Sequence, residues 1–424
     1  MRLGSSFVSA VLAAGISLAC AGPRPEVKAA LSGTLPELQQ EIARAERAGA
    51  LSDSQLRELA RAVAEREIAG ARGAEGAAQL TVFRPCLGEL TSALDERAVR
   101  GDEAAAVATL LLFEAGKRQA NDLVTRYQEA DSGAFRALAA RATLSPNHAE
   151  LRRRYFTDPD ERVRRAAFEA ALKAPMPAQL PDLVEAARLD PSPSNRSRAA
   201  QAAGRIGTEP AVMGLMDLFT AGDEQAQLAV LDAWSETPSY RRGGERELAR
   251  ALSRPGLVSV SAATLLLRSR ESRAAAIGVL ARAIAEGTDD ERRTALMAAP
   301  LDEPSIKDAL DKAARSPSPE VTPLLLARMA ELPGRGAKAR AGLEKLAEDK
   351  GDYGLEASYT LARMGSLRAI ARVEQELSHE RASRRLRAAV TLAGLGKKQH
   401  LAPRLADKDP WVRATVACQL SGAR

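Results

Sequence analysis

Residue types that commonly bind metals or act in catalysis are sparse in this sequence. The 424 residues include three His and three Cys. His148, His379 and His400 form no His-Glu-x-x-His pair and the cysteines form no Cys-x-x-Cys pair, so the common zinc spacings are missing. No Gly-x-Ser-x-Gly sequence, the usual setting of a hydrolase serine, occurs either. The sequence therefore predicts no catalytic residue, no metal site and no cofactor.

One segment is similar to a phosphate-binding loop. Residues 394–398 read Gly-Leu-Gly-Lys-Lys, but Thr391 occupies the place of the first glycine in Gly-x-x-x-x-Gly-Lys. We interpret the segment as the end of a helix, closed by glycine and followed by cations that suit the negative end of the helix dipole.

Arginine is abundant, and the formal net charge is +6. Aromatic side chains, on which nucleic-acid bases stack, make up only 3% of the chain. We therefore expect no nucleic-acid partner and interpret most of the charge as a solvated surface. Attraction to anionic lipid headgroups or to acidic proteins remains open at this point.

The first 19 residues have the features of a secretory signal peptide. Arg2 is followed by an uncharged, mostly apolar run, which is too short and too rich in Gly and Ser to span a membrane. Residues 16–21, Ile-Ser-Leu-Ala-Cys-Ala, resemble a bacterial lipobox, although Ser17 stands where that motif usually has Leu. The resemblance implies that Cys20 is lipidated and becomes the mature N-terminus. Two alternatives are cleavage that releases a soluble periplasmic or secreted protein, and an unprocessed cytosolic chain.

The remaining sequence predicts an all-α protein built from repeats. Alanine is plentiful and β-favouring aromatic residues are few. A chain of this length exceeds one globular core unless it grows by repetition. Residues 355–365 and 386–396 are similar at an offset of 31 residues. Equivalent helices can be placed around Ala105, Ala137, Ala167, Ala199, Ala229, Ala263, Ala295, Leu324, Tyr359, Val390 and Val416.

A recurring Asp-Pro dipeptide predicts where several of these helices begin. Asp158, Asp190 and Asp409 each precede a proline. Aspartate accepts hydrogen bonds from the free N–H groups of a first helical turn, and proline presets that turn. We therefore predict that these three aspartates are N-caps.

The sequences at 163–167, 196–207, 386–396 and 409–413 resemble HEAT repeats, of the short type also found in bilin-lyase proteins. The resemblance implies an α-α superhelix of helix pairs in which the second helices line the concave face. It also implies a structural ladder, in which an arginine of one repeat pairs with an aspartate in a neighbouring turn. The ladder residues that it assigns here are Asp158, Arg164, Asp190, Arg196, Arg387, Asp409 and Arg413.

We divide the chain into a signal peptide (1–19), a tether (20–35), an N-terminal helical cap (36–100) and about 11 HEAT-like repeats (101–424). The two ends of an extended repeat array lie far apart, whereas a disulfide requires Cα atoms within about 7 Å. We therefore expect Cys86 and Cys418 to remain unpaired, with Cys418 a small core residue. Trp411 is expected in the core or at the end of the array rather than as an anchor for a partner.

The functional expectation is a non-enzymatic scaffold in the cell envelope, lipid-anchored through Cys20, that binds a protein partner. One alternative is a lyase-like or isomerase-like repeat enzyme that acts on a small ligand. Another is a structural envelope protein that associates with itself.

Overall fold

The structure, a computed structural model, describes residues 23–49 and 51–422. The predicted signal peptide and Cys20 lie outside the described residues. In the described ranges the chain is all-α and contains no β-strand. No helix in those ranges is both long enough and apolar enough to cross a membrane.

The N-terminal region precedes the regular helix pairs. Its elements are α1 (Pro25–Ser32), α2 (Leu35–Ala48), α3 (Asp53–Gly70), α4 (Gly73–Leu80) and a 3₁₀ segment (Thr81–Glu89).

The rest of the described chain forms eleven units, each a first and a second helix joined by a short turn. Units 1 to 5 are α5 (Thr91–Ala98) with α6 (Glu103–Glu114), α7 (Ala120–Tyr127) with α8 (Gly133–Ala142), α9 (Ala149–Phe156) with α10 (Glu161–Lys173), α11 (Leu180–Leu189) with α12 (Pro193–Ile206), and α13 (Glu209–Ala221) with α14 (Glu224–Glu236). Units 6 to 11 are α15 (Glu245–Ala251) with α16 (Leu257–Leu266), α17 (Arg273–Glu286) with α18 (Asp289–Ala298), α19 (Pro304–Ala313) with α20 (Thr322–Ala330), α21 (Gly336–Leu346) with α22 (Asp352–Arg363), α23 (Leu367–Glu376) with α24 (Ala382–Gly394), and the 3₁₀ segment Lys398–Ala406 with α25 (Pro410–Ser421).

The array curves with its second helices on the inside. Each second helix packs against the second helix of the next unit, whereas first helices pack closely on one another only in places. Alanine makes this close approach possible: α12, for example, buries Ala199, Ala200, Ala202 and Ala203. Each thin helix pair buries its apolar face against its neighbours, as expected of a repeat array.

The Asp-Pro turns differ in detail from the sequence prediction. Asp409 is the N-cap of α25 and accepts hydrogen bonds from the N–H groups of Trp411 and Val412. Asp158 and Asp190 lie two residues before the caps of α10 and α12, which are Asp160 and Ser192. Their carboxylates are instead available to arginines of the preceding units, a role described below.

The region predicted to be a tether is largely folded. Residues 20–35 are predicted to be a tether, but Pro25–Ser32 forms helix α1, which buries Val27 and Ala30. The Arg66 side chain also holds this segment by donating a hydrogen bond to the Gly33 carbonyl (2.8 Å). Helix α1 therefore belongs to the N-terminal bundle, and little chain is left between it and Cys20.

The N-terminal bundle connects both ends of the array, so the molecule closes on itself. Helix α4 packs on α6 of the first unit, and helix α3 packs along α25 of the last unit. One continuous apolar core contains residues from 27–112 together with residues from 343–420. We call the contact of α3, α4 and the segment Thr81–Glu89 with α25 the seam. The region is thus a joint between the two ends rather than a cap with a free polar face.

The expectation that Cys86 and Cys418 stay apart is wrong. They form a disulfide across the seam, with Cα atoms 5.6 Å apart. The expectation assumed an open array with distant ends, and closure removes that distance. Both cysteines are buried, so Cys418 is a core residue as well as a bridge.

Candidate functional site

Several second helices carry an arginine at one fixed place, which we call the ladder position. At Arg136, Arg164, Arg385 and Arg413, the same guanidinium nitrogen donates to the carbonyls five and six residues earlier, in the turn before the helix. The other edge of the guanidinium remains free for a carboxylate of the next unit. Each arginine thus holds the turn before its own helix and also binds a carboxylate outside its own unit.

The carboxylates of the next units complete this ladder with two-point ion pairs. Arg136 pairs with Asp158 (both 3.1 Å), and Arg164 pairs with Asp190 (2.8 and 3.3 Å). These contacts raise the pKa of both arginines. Arg196 makes only a looser contact of 3.3 Å with Asp223, whose side chain is 62% exposed.

Two ladder assignments from the sequence need correction. In unit 10 the ladder arginine is Arg385, which pairs with Asp407 through contacts of 2.8 and 2.7 Å. Arg387 instead pairs with Glu356, and its guanidinium lies 4.6 Å from the centre of the Tyr359 ring. Asp409 caps α25, as described above, and Asp407 supplies the ladder carboxylate. Three arginines within four residues made the register ambiguous.

The last rung of the ladder crosses the seam. Arg413 of α25 donates to both carboxylate oxygens of Glu67 on α3, at 2.7 and 3.1 Å. The Gln79 amide donates to the same carboxylate (2.9 Å) and to the Pro410 carbonyl (3.2 Å). Helix α3 thus takes the place of a next repeat for unit 11. Sequence reasoning missed Glu67 because it lies outside the repeats.

The ladder position is the fourth residue of each second helix. The ninth residue, five positions later, has the same place in every second helix, and we call the set of these side chains the inner row. In units 2 to 10 its members are Arg141, Glu169, Gln201, Asp232, Leu265, Met297, Ala330, Thr360 and Val390. Contacts between units join its first members: Arg141 pairs with Glu169, and the Gln201 amide donates to Asp232 (2.9 Å). The row therefore continues in space from one second helix to the next.

The first half of the inner row belongs to a network of alternating charges. Arg141 contacts Glu114 (3.1 Å) as well as Glu169, and these two glutamates also bind Arg84 (2.8 Å) and Arg198 (3.2 Å). Burial lowers the pKa of Arg141, which Glu114 partly offsets. The network ties together the segment Thr81–Glu89 and helices α6, α8, α10 and α12. It makes this half of the inner face polar and ordered.

The second half of the inner row contains no charged side chain and, apart from Thr360, is apolar. Leu265, Met297 and Val390 replace the charged residues of the first half. Met297 is 72% exposed and Val390 is 45% exposed. Tyr353, at the start of α22, adds a partly exposed ring nearby. One curved surface thus carries a charged network at one end and exposed apolar side chains at the other, where the Arg387–Glu356 ion pair lies one helical turn from Val390.

A groove of about 760 Å³ lies beside the ladder between units 3 and 4. Phe156, Pro159, Pro181, Leu189 and Pro191 supply much of its wall. The groove is open and contains no histidine or cysteine. It offers an apolar surface next to a rigid ladder.

The three histidines lie apart. His379 accepts a hydrogen bond from the Arg381 N–H, His400 contacts Glu374 (3.4 Å), and His148 belongs to a short 3₁₀ turn. No group of three potential metal ligands occurs in the described ranges. The segment 394–398 contains the end of α24: Gly396 has a φ of 73°, and the Lys397 N–H donates to the Leu392 carbonyl (2.8 Å), a glycine helix end. Trp411 is partly buried in the first turn of α25.

Comparison with known proteins agrees with this architecture. The profile of one protein family, described as HEAT repeats, matches residues 148–235. This range covers α9 to α14, where the ladder contacts from Arg164 and Arg196 occur. No curated protein sequence matches the chain. The matched range, together with the helix pairs on either side of it, supports a HEAT-repeat protein with an all-α repeat architecture.

Proposed function

We propose that this HEAT-repeat chain is an exported, lipid-anchored scaffold of the bacterial cell envelope that binds a protein partner along its inner face. The observation that carries this proposal is the inner row, with Met297 and Val390 exposed on second helices. Exposed Met and aromatic side chains beside arginines resemble the composition of interface centres. A curved face of this kind can contact one partner over several repeats.

The disulfide supports the export part of the proposal. Disulfides form and persist in oxidising compartments and are rare in the cytosol of most organisms. A bridge between Cys86 and Cys418 therefore agrees with the signal peptide that the sequence predicts before Cys20. The same observation counts against the unprocessed cytosolic alternative.

We also propose that the protein is not an enzyme. The open groove beside the ladder and the inner row present ion pairs and apolar side chains, with no nucleophile held next to a base. A lyase-like or isomerase-like activity on a small ligand would need such a group. Incubation with candidate ligands, followed by mass spectrometry and thermal-shift measurements, tests that alternative.

The experiment for the main proposal is crosslinked co-purification from native membranes. The double variant Met297→Asp/Val390→Asp should lose the partner while keeping its helicity. The matched control is Met213→Asp/Leu367→Asp, because these two side chains are similarly exposed but lie on the first helices α13 and α23. The control should retain the partner.

Equal loss of the partner in both double variants would contradict an inner-face site. A parallel Cys20→Ala variant tests the anchor, since it should leave the membrane fraction. Sedimentation at increasing concentration separates partner binding from self-association, because a monomer at all concentrations would exclude the self-assembling alternative.

A further inference from the structure

The closed array has two rims, defined by its turns. First and second helices of one unit run in opposite directions, so the turns within units lie on one rim and the turns between units lie on the other. Ladder contacts such as Arg164 with Asp190 join turns of the first rim. On the second rim, the Tyr240 hydroxyl donates to the Leu265 carbonyl (3.2 Å), and Arg242 donates to the Gly207 carbonyl (2.7 Å).

The two rims carry opposite charge. The turns within units contain thirteen Asp and Glu against six Lys and Arg, with a carboxylate in every unit except 6 and 7. The turns between units contain eight Lys and Arg against four Asp and Glu. Aspartate caps and ladder carboxylates explain much of the acidic rim. They do not explain why the opposite rim, which we call the basic rim, has an excess of cations.

Most cations of the basic rim have no carboxylate partner. Arg118 and Arg335 form ion pairs with Asp95 and Asp311. The other cations of this rim are exposed, with no ion pair in the part of the chain that the structure describes: Lys117, Arg241, Arg242, Arg268, Arg270 and Lys397. The four arginines belong to neighbouring turns on either side of unit 6, which the Tyr240 contact holds together. We call these four arginines the arginine patch; their two turns contain one carboxylate, Glu271, and therefore have an excess of positive charge.

The described chain begins on the side of the same rim. Helix α3 starts at the basic rim, where the Gln399 amide donates to Asp53 (3.3 Å), and it ends at the acidic rim, where Glu67 meets Arg413. Helix α1 runs parallel to α3, because Arg24 contacts Glu58 while Gly33 contacts Arg66. Since Glu58 is only five residues from the start of α3, Arg24 lies about 8 Å along the helix from the basic rim. The chain therefore enters the bundle from that side.

Cys20 is four residues before Arg24. Even a fully extended chain of that length spans only about 14 Å. A lipid on Cys20 would thus hold the seam side of the basic rim close to a bilayer. Unit 6, with the arginine patch, lies about halfway around the array from the seam.

We propose that the basic rim docks on anionic phospholipid headgroups, so that the array lies flat on the membrane and turns its acidic rim away from it. This proposal rests on the lipid anchor of the proposed function for the choice of a bilayer as the docking surface. Arginine suits this contact because its planar guanidinium binds a phosphate through two hydrogen bonds. Two separated contacts, the anchor at the seam and the arginine patch at unit 6, fix the orientation of the array.

The test uses the mature chain with Cys20→Ala, so that no acyl chain contributes to binding. Cosedimentation with vesicles of phosphatidylglycerol and phosphatidylcholine in equal parts is compared with pure phosphatidylcholine vesicles. We expect binding to the anionic vesicles only, and weaker binding at high salt. The variant Arg268→Gln/Arg270→Gln should weaken that binding roughly 30-fold, from the typical contribution of each basic residue at an anionic surface.

The matched control is Arg254→Gln/Arg315→Gln, which removes the same charge from two exposed arginines on the acidic rim. It should bind as the Cys20→Ala chain does. Equal weakening in both variants would show an effect of net charge alone and would overturn the proposal, as would a chain that ignores anionic vesicles. Binding to polyglutamate but not to vesicles would assign the rim to an acidic polypeptide and would also overturn it. The anchor fails separately, if mass spectrometry of the native protein finds no acyl group on Cys20.

Discussion

The run of units from α9 to α14 and the seam between α3 and α25 use the same arginine contact on different supports. In the run, Arg164 donates two hydrogen bonds to Asp190, at 2.8 and 3.3 Å. At the seam, Arg413 donates two hydrogen bonds to Glu67, at 2.7 and 3.1 Å. Both arginine side chains are 12% exposed. Geometry and burial of the two rungs are therefore nearly equal.

The supports of the two acceptors differ. Asp190 lies in a turn only 26 residues after Arg164. The packing of one repeat on the next is therefore enough to place its carboxylate beside Arg164. Glu67 lies on a long helix 346 residues away in sequence, where Gln79 and the disulfide hold it against α25. A ladder arginine can thus pair with a carboxylate from a neighbouring repeat or from a helix outside the repeats. Closure of the array uses the second case, in which α3 supplies the Glu67 carboxylate.

Among the substitutions that compare the seam with the repeat run, removal of the disulfide should change the stability of the protein most. The bridge joins residues 332 positions apart, and a loop of that length adds much entropy to the unfolded chain when it is opened. We expect Cys86→Ala/Cys418→Ala to lower the free energy of unfolding by about 5 kcal/mol, the value that the chain-entropy model gives for long loops. Urea denaturation followed by circular dichroism measures the loss. Each single Cys→Ala variant should match the double variant, because either one removes the bridge.

Amide hydrogen exchange of the double variant would show which helices lose stability. Amides of α3 and α25 should exchange faster in the double variant, whereas those of α10 and α12 should be unchanged. Uniformly faster exchange would mean that the array unfolds as one unit, and the seam would then have no separate stability.

The two rungs can be compared directly with a pair of single substitutions. Glu67→Ala and Asp190→Ala each leave a largely buried arginine without its carboxylate, and each should cost about 3 kcal/mol. The positions of the damage should differ, with faster amide exchange in α3 and α25 for the first and in α10 and α12 for the second. Asp223→Asn is the control, because Asn keeps an N-cap side chain for α14 and removes only the charge that faces Arg196. The Asp223 side chain is 62% exposed, so loss of that ion pair should cost less than about 1 kcal/mol. A cost of Glu67→Ala as small as that of the control would contradict a structural role for the seam rung.

Much of the repeat run could be anticipated from local sequence. A ladder arginine and the turn that it binds lie within six residues, and each unit repeats that spacing together with helical apolar periodicity. The same locality explains the error at Arg387: residues 384, 385 and 387 are all arginine, and the residue six before Arg385 is His379 rather than an aspartate. Without that aspartate, nothing local marked the register.

Closure could not be anticipated in the same way. Its contacts join Glu67, Gln79 and Cys86 to α25 across more than 330 residues, and none of these three belongs to the repeat. The two cysteines can pair only if the curvature of all units together brings the ends of the array into contact. Small changes in the individual turns determine that curvature. The inner row was likewise hidden, because it appears only when the ladder register is known for every second helix.

A buried asparagine offers a way to strengthen the repeat run without touching the seam. Asn195 precedes the ladder residue Arg196, in the place that Val163 and Val412 occupy in units 3 and 11. Its side chain is fully buried, and neither its amide nitrogen nor its oxygen has a hydrogen-bond partner among the described residues. Asn195→Val should raise the free energy of unfolding by about 1–2 kcal/mol, measured by urea denaturation. The reverse change, Val163→Asn, should lower it, and a loss of stability in Asn195→Val would contradict this account.

The smallest expected effect concerns acid. The hydrogen bonds of Arg162 lower the pKa of Asp160, the N-cap of α10, more than partial burial raises it. A carboxylate with a lower pKa in the folded state adds stability above its unfolded pKa of about 4, and that stability disappears as the pH falls through the folded value. Asp160→Asn keeps an N-cap side chain but cannot titrate, so its stability should fall less between about pH 4 and pH 2 than that of the unaltered chain, by under about 1 kcal/mol. Amide exchange of α10 at about pH 3 measures the difference within the repeat run, and the amides of α25 serve as the internal reference. An equal acid response of α10 in both proteins would show that Asp160 acts only as a cap and that its pairing with Arg162 adds nothing to the stability of the run.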